Sequence, residues 1–153
     1  ENEILEIKPF FPPKITSVDC KRTGEVIIAF SNKKGGTIFI GIDDYLEFEE
    51  FSKLRSIMKE FGKDKGRDDE IIADYCIMLK KELRDNAVSA DSDLIFDISH
   101  IEVLRHKIIK IVVQAGKKIH QTKGGEVLYR RNSRNVRPNV NELEELTLRI
   151  RNQ

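Results

Sequence analysis

The chain has 153 residues, of which 39% are hydrophobic and 35% charged, and a formal net charge of +1. That length suits one domain of residues 1–153, large enough to bury roughly 70% of its unfolded surface. The charged share exceeds the roughly 25% of an average soluble domain. The longest apolar stretch, residues 37–42, is far short of the roughly 18 residues a membrane span needs, so a membrane protein is excluded and no membrane partner is expected.

Acidic residues stand near the N-terminus where a secretory signal would be basic, so the cytoplasm is the expected compartment. Cys20 and Cys76 are too few for a disulfide framework or a cysteine zinc site, and both read as buried apolar fillers. The chain starts without Met and stops at Arg151-Asn152-Gln153 straight after a helical pattern, so we expect a fragment of something longer.

Along the chain, residues 3–8 alternate, with Leu5 and Ile7 on one side and Glu6 and Lys8 on the other: a half-buried strand ended by Pro12-Pro13. A helix carrying Val26, Ile27, Ala29 and Phe30 follows, capped by Ser17 or Thr23, with Gly24 arguing against the earlier start, and ends near Asn32 ahead of Gly35-Gly36. Residues 37–42 form a β-rich run that ends at Asp43-Asp44. Apolar residues at three-to-four spacing predict two helices, one from Phe48 to Phe61 and one from Ile71 to Leu79, around a polar loop at 62–69. Strands are predicted at 94–104 and 108–113, joined around Arg105-His106-Lys107, and another at 126–131. A last helix starts near residue 141, capped by Asn139 or Asn141. The order β, α, β, α, α, β, β, β, α predicts an α+β domain with a mixed β-sheet flanked by helices.

The near-zero net charge conceals a division. Between Arg105 and Arg137 lie ten basic residues and one acid, a local charge of +9 on a chain of +1. Phosphates respond to such a local field rather than to the total. Arg130, Arg131, Arg134 and Arg137 crowd into eight residues among Asn132, Ser133 and Asn135, a mixture of guanidinium forks and small hydrogen-bonding groups suited to phosphate oxygens.

Other chemistries are poorly represented. Ser31 to Thr37 invites comparison with a phosphate loop, but its lysines precede the glycines and the order is helix to strand, so the helix dipole points the wrong way. No G-x-G-x-x-G occurs, and no nucleotide cofactor is expected. His100, His106 and His120 have no metal or dyad spacing and read as exposed strand-end or loop residues. The carboxylates say more. Asp43-Asp44 ends the most hydrophobic strand and Glu6 lies on the polar side of the first, positions suited to the oxygen ligands of Mg²⁺ or Mn²⁺. The competing reading is that Asp43-Asp44 simply starts a turn.

Three blocks together carry a resemblance: Leu5-Glu6-Ile7-Lys8, the stretch from Ile28 to Asp44 with its Gly-Gly-Thr and Asp-Asp, and Val127-Leu128-Tyr129-Arg130-Arg131-Asn132-Ser133. They resemble the "EFK", "AFANT-GGT-IGVDD" and "YIRRGS" elements of the Schlafen-type AlbA-like domain family, across residues 1–146. Residues 45–92 match nothing in particular, and the family's short glycine turn after "VDD" is replaced by a run toward a helix. The resemblance implies a nucleic-acid-binding domain whose animal members include metal-dependent endoribonucleases acting on transfer and ribosomal RNA. By position it implies that Glu1, Glu6 and either Asp43 or Asp44 form the carboxylate centre. The family's zinc site is not supported, because its cysteines and histidine are missing.

The leading expectation is therefore a metal-dependent endoribonuclease. Glu6, Asp43 and Glu1, with Asp44 as alternative, would hold Mg²⁺ or Mn²⁺, and Lys8 would support developing negative charge. Lys33, Lys34, Arg130, Arg131, Arg134 and Arg137 would grip the backbone, with Tyr129 the only aromatic residue among the arginines. Structured RNA such as transfer RNA is favoured as partner, DNA remains open, and a homodimer would restore the two-lobed clamp that the resemblance implies. The alternative is a non-catalytic DNA- or RNA-binding module of a larger transcriptional regulator or defence protein. One geometric condition follows: Glu1 and Glu6 are five apart, so both can reach one ion only if Glu1 precedes the strand.

Overall fold

The computed structural model describes residues 1–12 and 18–152. Its first unit is β1 (Leu5–Lys8), α1 (Val18–Ser31) and β2 (Gly36–Ile40), with β1 and β2 parallel. A parallel pair needs such a crossover, and α1 supplies it. The expected cap Ser17 lies outside the described residues. Thr23 is not the cap: its hydroxyl donates to the Asp19 carbonyl inside the helix. Gly24 is kept in mid-helix by packing, because a Cβ there would come within 2.6 Å of the Ala87 Cβ. At the other end Gly35 takes φ +75° and its N–H closes on the Phe30 carbonyl, 2.8 Å away.

After β2 come α2 (Phe51–Lys59), α3 (Asp68–Glu82) with a π-helical turn (Leu83–Ala87), the hairpin β3 (Phe96–Val103) and β4 (His106–Val113), the short hairpin β5 (Tyr129–Arg131) and β6 (Arg134–Val136), and α4 (Val140–Arg151). The main sheet runs β1-β2-β4-β3, antiparallel except for the first pair. This is the mixed α+β architecture that the element order predicts.

Alternation decides what each face carries. Glu6, Ile38, Ile111 and Ile98 lie in register on the face covered by α1 and α3, where Ile38, Ile40, Ile109 and Ile111 are fully buried. Leu5, Ile7, Phe39 and Ile108 lie on the opposite face, which no helix covers among the described residues. Antiparallel sheets tolerate such one-sided packing.

Several boundaries differ from the sequence reading. β2 stops at Ile40 because Gly41 turns the chain at φ +103°. Phe48 does not join α2; it bridges to Ile42 and stacks on His106 at 4.2 Å. The β3–β4 turn is Leu104-Arg105, both in the left-handed region, rather than residues 105–107. Of the strand predicted at 126–131, residues 129–131 form β5, which turns at Asn132, φ +55°, into a second strand, β6, that the sequence reading does not contain. Asn139 caps α4 in a reciprocal box with Glu142. Among the described residues no helix is long and apolar enough to cross a membrane.

Candidate nucleic-acid interface

The exposed edge of β1 is where the predicted residues converge. Arg130, on β5, reaches that edge and is fully buried. Its guanidinium donates to the carbonyls of Asn2 and Leu5, to Asn135 Oδ1 and, at 2.9 Å, to Glu6 Oε1, and it lies 4.8 Å over the Phe30 ring. Four acceptors engage all three guanidinium nitrogens above an aromatic face, so Arg130 seals the sheet edge.

Glu6 is held between Arg130 and Lys8, whose Nζ is 3.5 Å from Oε2. Burial raises its carboxyl above the ordinary value, and the charge of nearby Glu1 adds to this, against the opposing pull of Lys8 and Arg130. Glu1 precedes the strand, as the spacing requires, and its Oε2 accepts from the Ile7 N–H at 3.2 Å. Glu3 pairs with Lys33 at 2.8 Å and Lys34 at 3.4 Å, and the Lys33 hydrogen bond is foremost in holding its carboxyl low.

Asp43 and Asp44 belong to a different surface. Asp43 Oδ1 accepts from the Tyr45 and Glu47 N–H groups, both at 2.9 Å, and so organises the turn after β2. Both aspartates border a groove of about 300 Å³ that includes Leu5, Ile7, Phe39 and Ile108, on the sheet face away from Glu6. As three ligands of one ion, Glu1, Glu6 and Asp43 do not fit: their oxygens are engaged as described, and they do not form a group with ligand atoms within 4.8 Å.

The remaining basic residues divide sharply. Arg131 forks onto Glu142, and Lys33 also donates to the Arg130 carbonyl and lies 5.0 Å from the centre of the Tyr129 ring. Tyr129 is 5% exposed with its hydroxyl on Glu145, so its ring is covered rather than offered for stacking. Arg134 is exposed and makes no ion pair among the described residues, while Arg137, 84% exposed, only approaches Glu126 at 3.9 Å. With exposed Asn132 and Ser133, Arg134 forms the hairpin tip, and Arg137 lies just past the end of β6. Lys34 is 65% exposed at the end of α1.

One functional cluster escaped sequence reasoning. His120 is fully buried, with Nδ1 2.7 Å from Ser31 Oγ and Nε2 3.2 Å from Asp93 Oδ1. It is not an exposed loop residue as its isolated position suggested. Asp91, Asp93 and His120 form a group of three that could hold a metal ion, unique among the described residues. The separation of 27 positions from Asp93 to His120 leaves no spacing to read. The two thiols are buried, which pushes each up to about 12, so neither is a nucleophile.

The family model for "Schlafen, AlbA_2" matches residues 1–139, and the chain belongs to that family. This makes it a nucleic-acid-binding domain in general terms. No curated protein matches the chain. Among seven matching solved chains is the DIP2311 protein from Corynebacterium diphtheriae, 13% identical with a TM-score of 0.59. The match covers 95% of this chain and 24% of that one, so the chain spans about a quarter of its structural relative, and the likeness shows the fold alone.

Proposed function

We propose that this domain binds the backbone of structured RNA, such as transfer RNA, as a sequence-tolerant module of a larger cytoplasmic protein. The observation that carries this reading is the β5–β6 hairpin, whose turn ends in exposed Asn132, Ser133 and Arg134 and which is followed by exposed Arg137, while Arg130 is buried and Arg131 is paired with Glu142. Because Tyr129 is covered, unpaired bases find no aromatic platform among these arginines, and recognition by shape and phosphate fits better. The same reading includes pairing of two copies, which would double the cationic surface; a monomer mass by light scattering at high concentration would remove that part.

Metal-dependent cleavage is the second reading, favoured by the closeness of Glu1 and Glu6, two carboxylates whose mutual repulsion a cation would relieve. One assay separates the two. The protein is incubated with transfer RNA and with a DNA duplex, in Mn²⁺ or in EDTA. Binding to RNA that weakens in Arg134→Ala/Arg137→Ala, with the RNA intact in both conditions, supports the module. Cutting that needs Mn²⁺ and is lost in Glu1→Gln supports the nuclease. Binding unaffected by the double substitution defeats the proposed interface.

A further inference from the structure

The Asp91, Asp93 and His120 group lies away from the β1 edge and plays no part in the function proposed above. Bonds of about 2.0–2.2 Å from a transition metal to nitrogen or oxygen set ligand atoms up to about 4.3 Å apart, and about 3.4 Å apart on a tetrahedral edge. Here the three candidate atoms lie within 4.8 Å of one another, and His120 Nε2 is 3.2 Å from Asp93 Oδ1. The Asp93–His120 pair already stands near tetrahedral-edge spacing, and the other distances would close by up to about 1.4 Å on binding, within reach of carboxylate side-chain rotation.

The imidazole is fixed from outside the cluster. Ser31 Oγ meets Nδ1, which turns Nε2 toward the two aspartates. The Asn32 side chain clamps the same residue's backbone on both sides, accepting from its N–H and donating to its carbonyl, each at 2.8 Å. Gly116 leaves the ring its room: a Cβ there would fall 2.7 Å from Cε1, Nδ1 and Ser31 Oγ. Metal-binding histidines are held in this way, with the far ring nitrogen tied to a hydroxyl or carbonyl that sets orientation and tautomer.

Charge points the same way. Two carboxylates share the site with one counter-charge, Lys118, whose 61% exposed ammonium stands 3.5 Å from Asp93. The Asp91 carboxylate makes no ion pair among the described residues and accepts from Ser89 Oγ at 3.2 Å. With a neutral imidazole the site keeps a net negative charge. We propose that Asp91, Asp93 and His120 bind a divalent transition-metal ion, Zn²⁺ or Mn²⁺, whose function is to tie two loops to the end of α1.

The mixed nitrogen and oxygen donors set this site apart from an all-oxygen Mg²⁺ or Ca²⁺ site. The tie would join the loop after the π turn to the loop after β4, and both to Ser31 and Asn32, immediately ahead of Lys33 and Lys34. It would brace the foot of the basic surface without touching nucleic acid.

The test uses the chain stripped of metal with chelator, then dialysed against Zn²⁺, Mn²⁺ or Mg²⁺ alone. We expect one Zn²⁺ or Mn²⁺ per chain, a raised Tm, and no such response to Mg²⁺. Asp91→Asn with Asp93→Asn, at partly exposed positions, removes two of the three ligands and should abolish stoichiometric Zn²⁺ binding. In wild-type protein the ¹⁵N resonance of His120 Nε2 should move on Zn²⁺ addition, a readout that does not depend on any variant folding. Substoichiometric metal, equal binding by the double variant, or an unmoved His120 resonance would each overturn the site. Zn²⁺ binding lost instead in Glu1→Gln would assign the ion to the β1 edge and overturn it too. None of these outcomes bears on RNA affinity at the Arg134 tip, so the two proposals fail separately.

Discussion

Arg130 and Arg134 stand four residues apart on one hairpin, yet they live in different media. Arg130 is fully buried, with each nitrogen of its fork on a protein acceptor, whereas Arg134 is exposed and makes no ion pair among the described residues. Strand alternation separates them: β5 runs from buried Tyr129 and Arg130 out to exposed Arg131, turns at Asn132, and returns in β6, where Arg134 pairs with Arg131 and Asn135 with Arg130. A run of arginines in sequence is therefore two devices in space, an inner strut that builds the edge of the sheet and an outer tip that faces solvent. The field a phosphate would meet comes from the tip.

The sharpest way to break this comparison is Arg130→Ala. Removing one partner of a buried pair leaves the other charge uncompensated, at a cost of about 3–5 kcal/mol. The substitution also removes the guanidinium donor from the Asn2 carbonyl and leaves the Leu5 carbonyl with the Asn2 N–H alone of its two donors. Urea denaturation should show that loss, and Arg130→Lys should recover little, since an ammonium cannot span four acceptors. A variant as stable as wild type would mean that the strut is no strut.

Glu6→Gln is the next largest effect. It keeps an oxygen beside Arg130 but removes the charge, and we expect a loss of about 1–3 kcal/mol, again read by denaturation. Any loss of RNA cleavage in this variant must be compared with that destabilisation, which is why Glu1→Gln is the cleaner probe of catalysis.

At the tip the expectation inverts. Arg134→Ala/Arg137→Ala should change stability by less than about 0.5 kcal/mol, while reducing the slope of log affinity against log salt by roughly 1.4–1.8, or 0.7–0.9 per lost phosphate contact. An unchanged slope would place the phosphate contacts elsewhere.

How much of this was legible beforehand follows from which forces act locally. Periodicity and glycine punctuation gave the order of elements, because strand alternation, helix spacing and the Gly35 turn are set within a few residues. The β5–β6 turn escaped because Asn132 takes its positive φ without a glycine to announce it. The blocks of family resemblance brought Glu6 and Arg130 into one account, but no pattern in sequence tells a strut from a ligand grip. That distinction depends on which carbonyls lie within 3 Å, a matter of tertiary packing. Asp43 was readable as a turn residue from its chemistry, and the structure has it accepting two backbone N–H groups. His120 was opaque because its partners, Ser31 and Asp93, stand 89 and 27 residues away.

The smallest expected effect sharpens the boundary between strut and tip at Arg131, which belongs fully to neither. Its fork lies on Glu142, and that hydrogen bond, ahead of the Asn139 N–H of the capping box, holds the Glu142 carboxyl down to about 2 against the opposing effect of burial. A carboxyl depressed in the folded state stabilises fully above its unfolded value near 4.5, and the contribution fades as pH falls toward 2. Glu142→Gln keeps the cap geometry and removes the charge. It should lower Tm by roughly 1–3 °C at pH 7, an exposed-pair effect for a chain of this size, and the difference from wild type should shrink steadily between pH 4.5 and pH 2. If the gap persists at pH 2, the box works through hydrogen bonding alone and Arg131 is as free as Arg134. If it closes, Arg131 is held by α4, and the phosphate-facing surface reduces to the residues beyond Asn132.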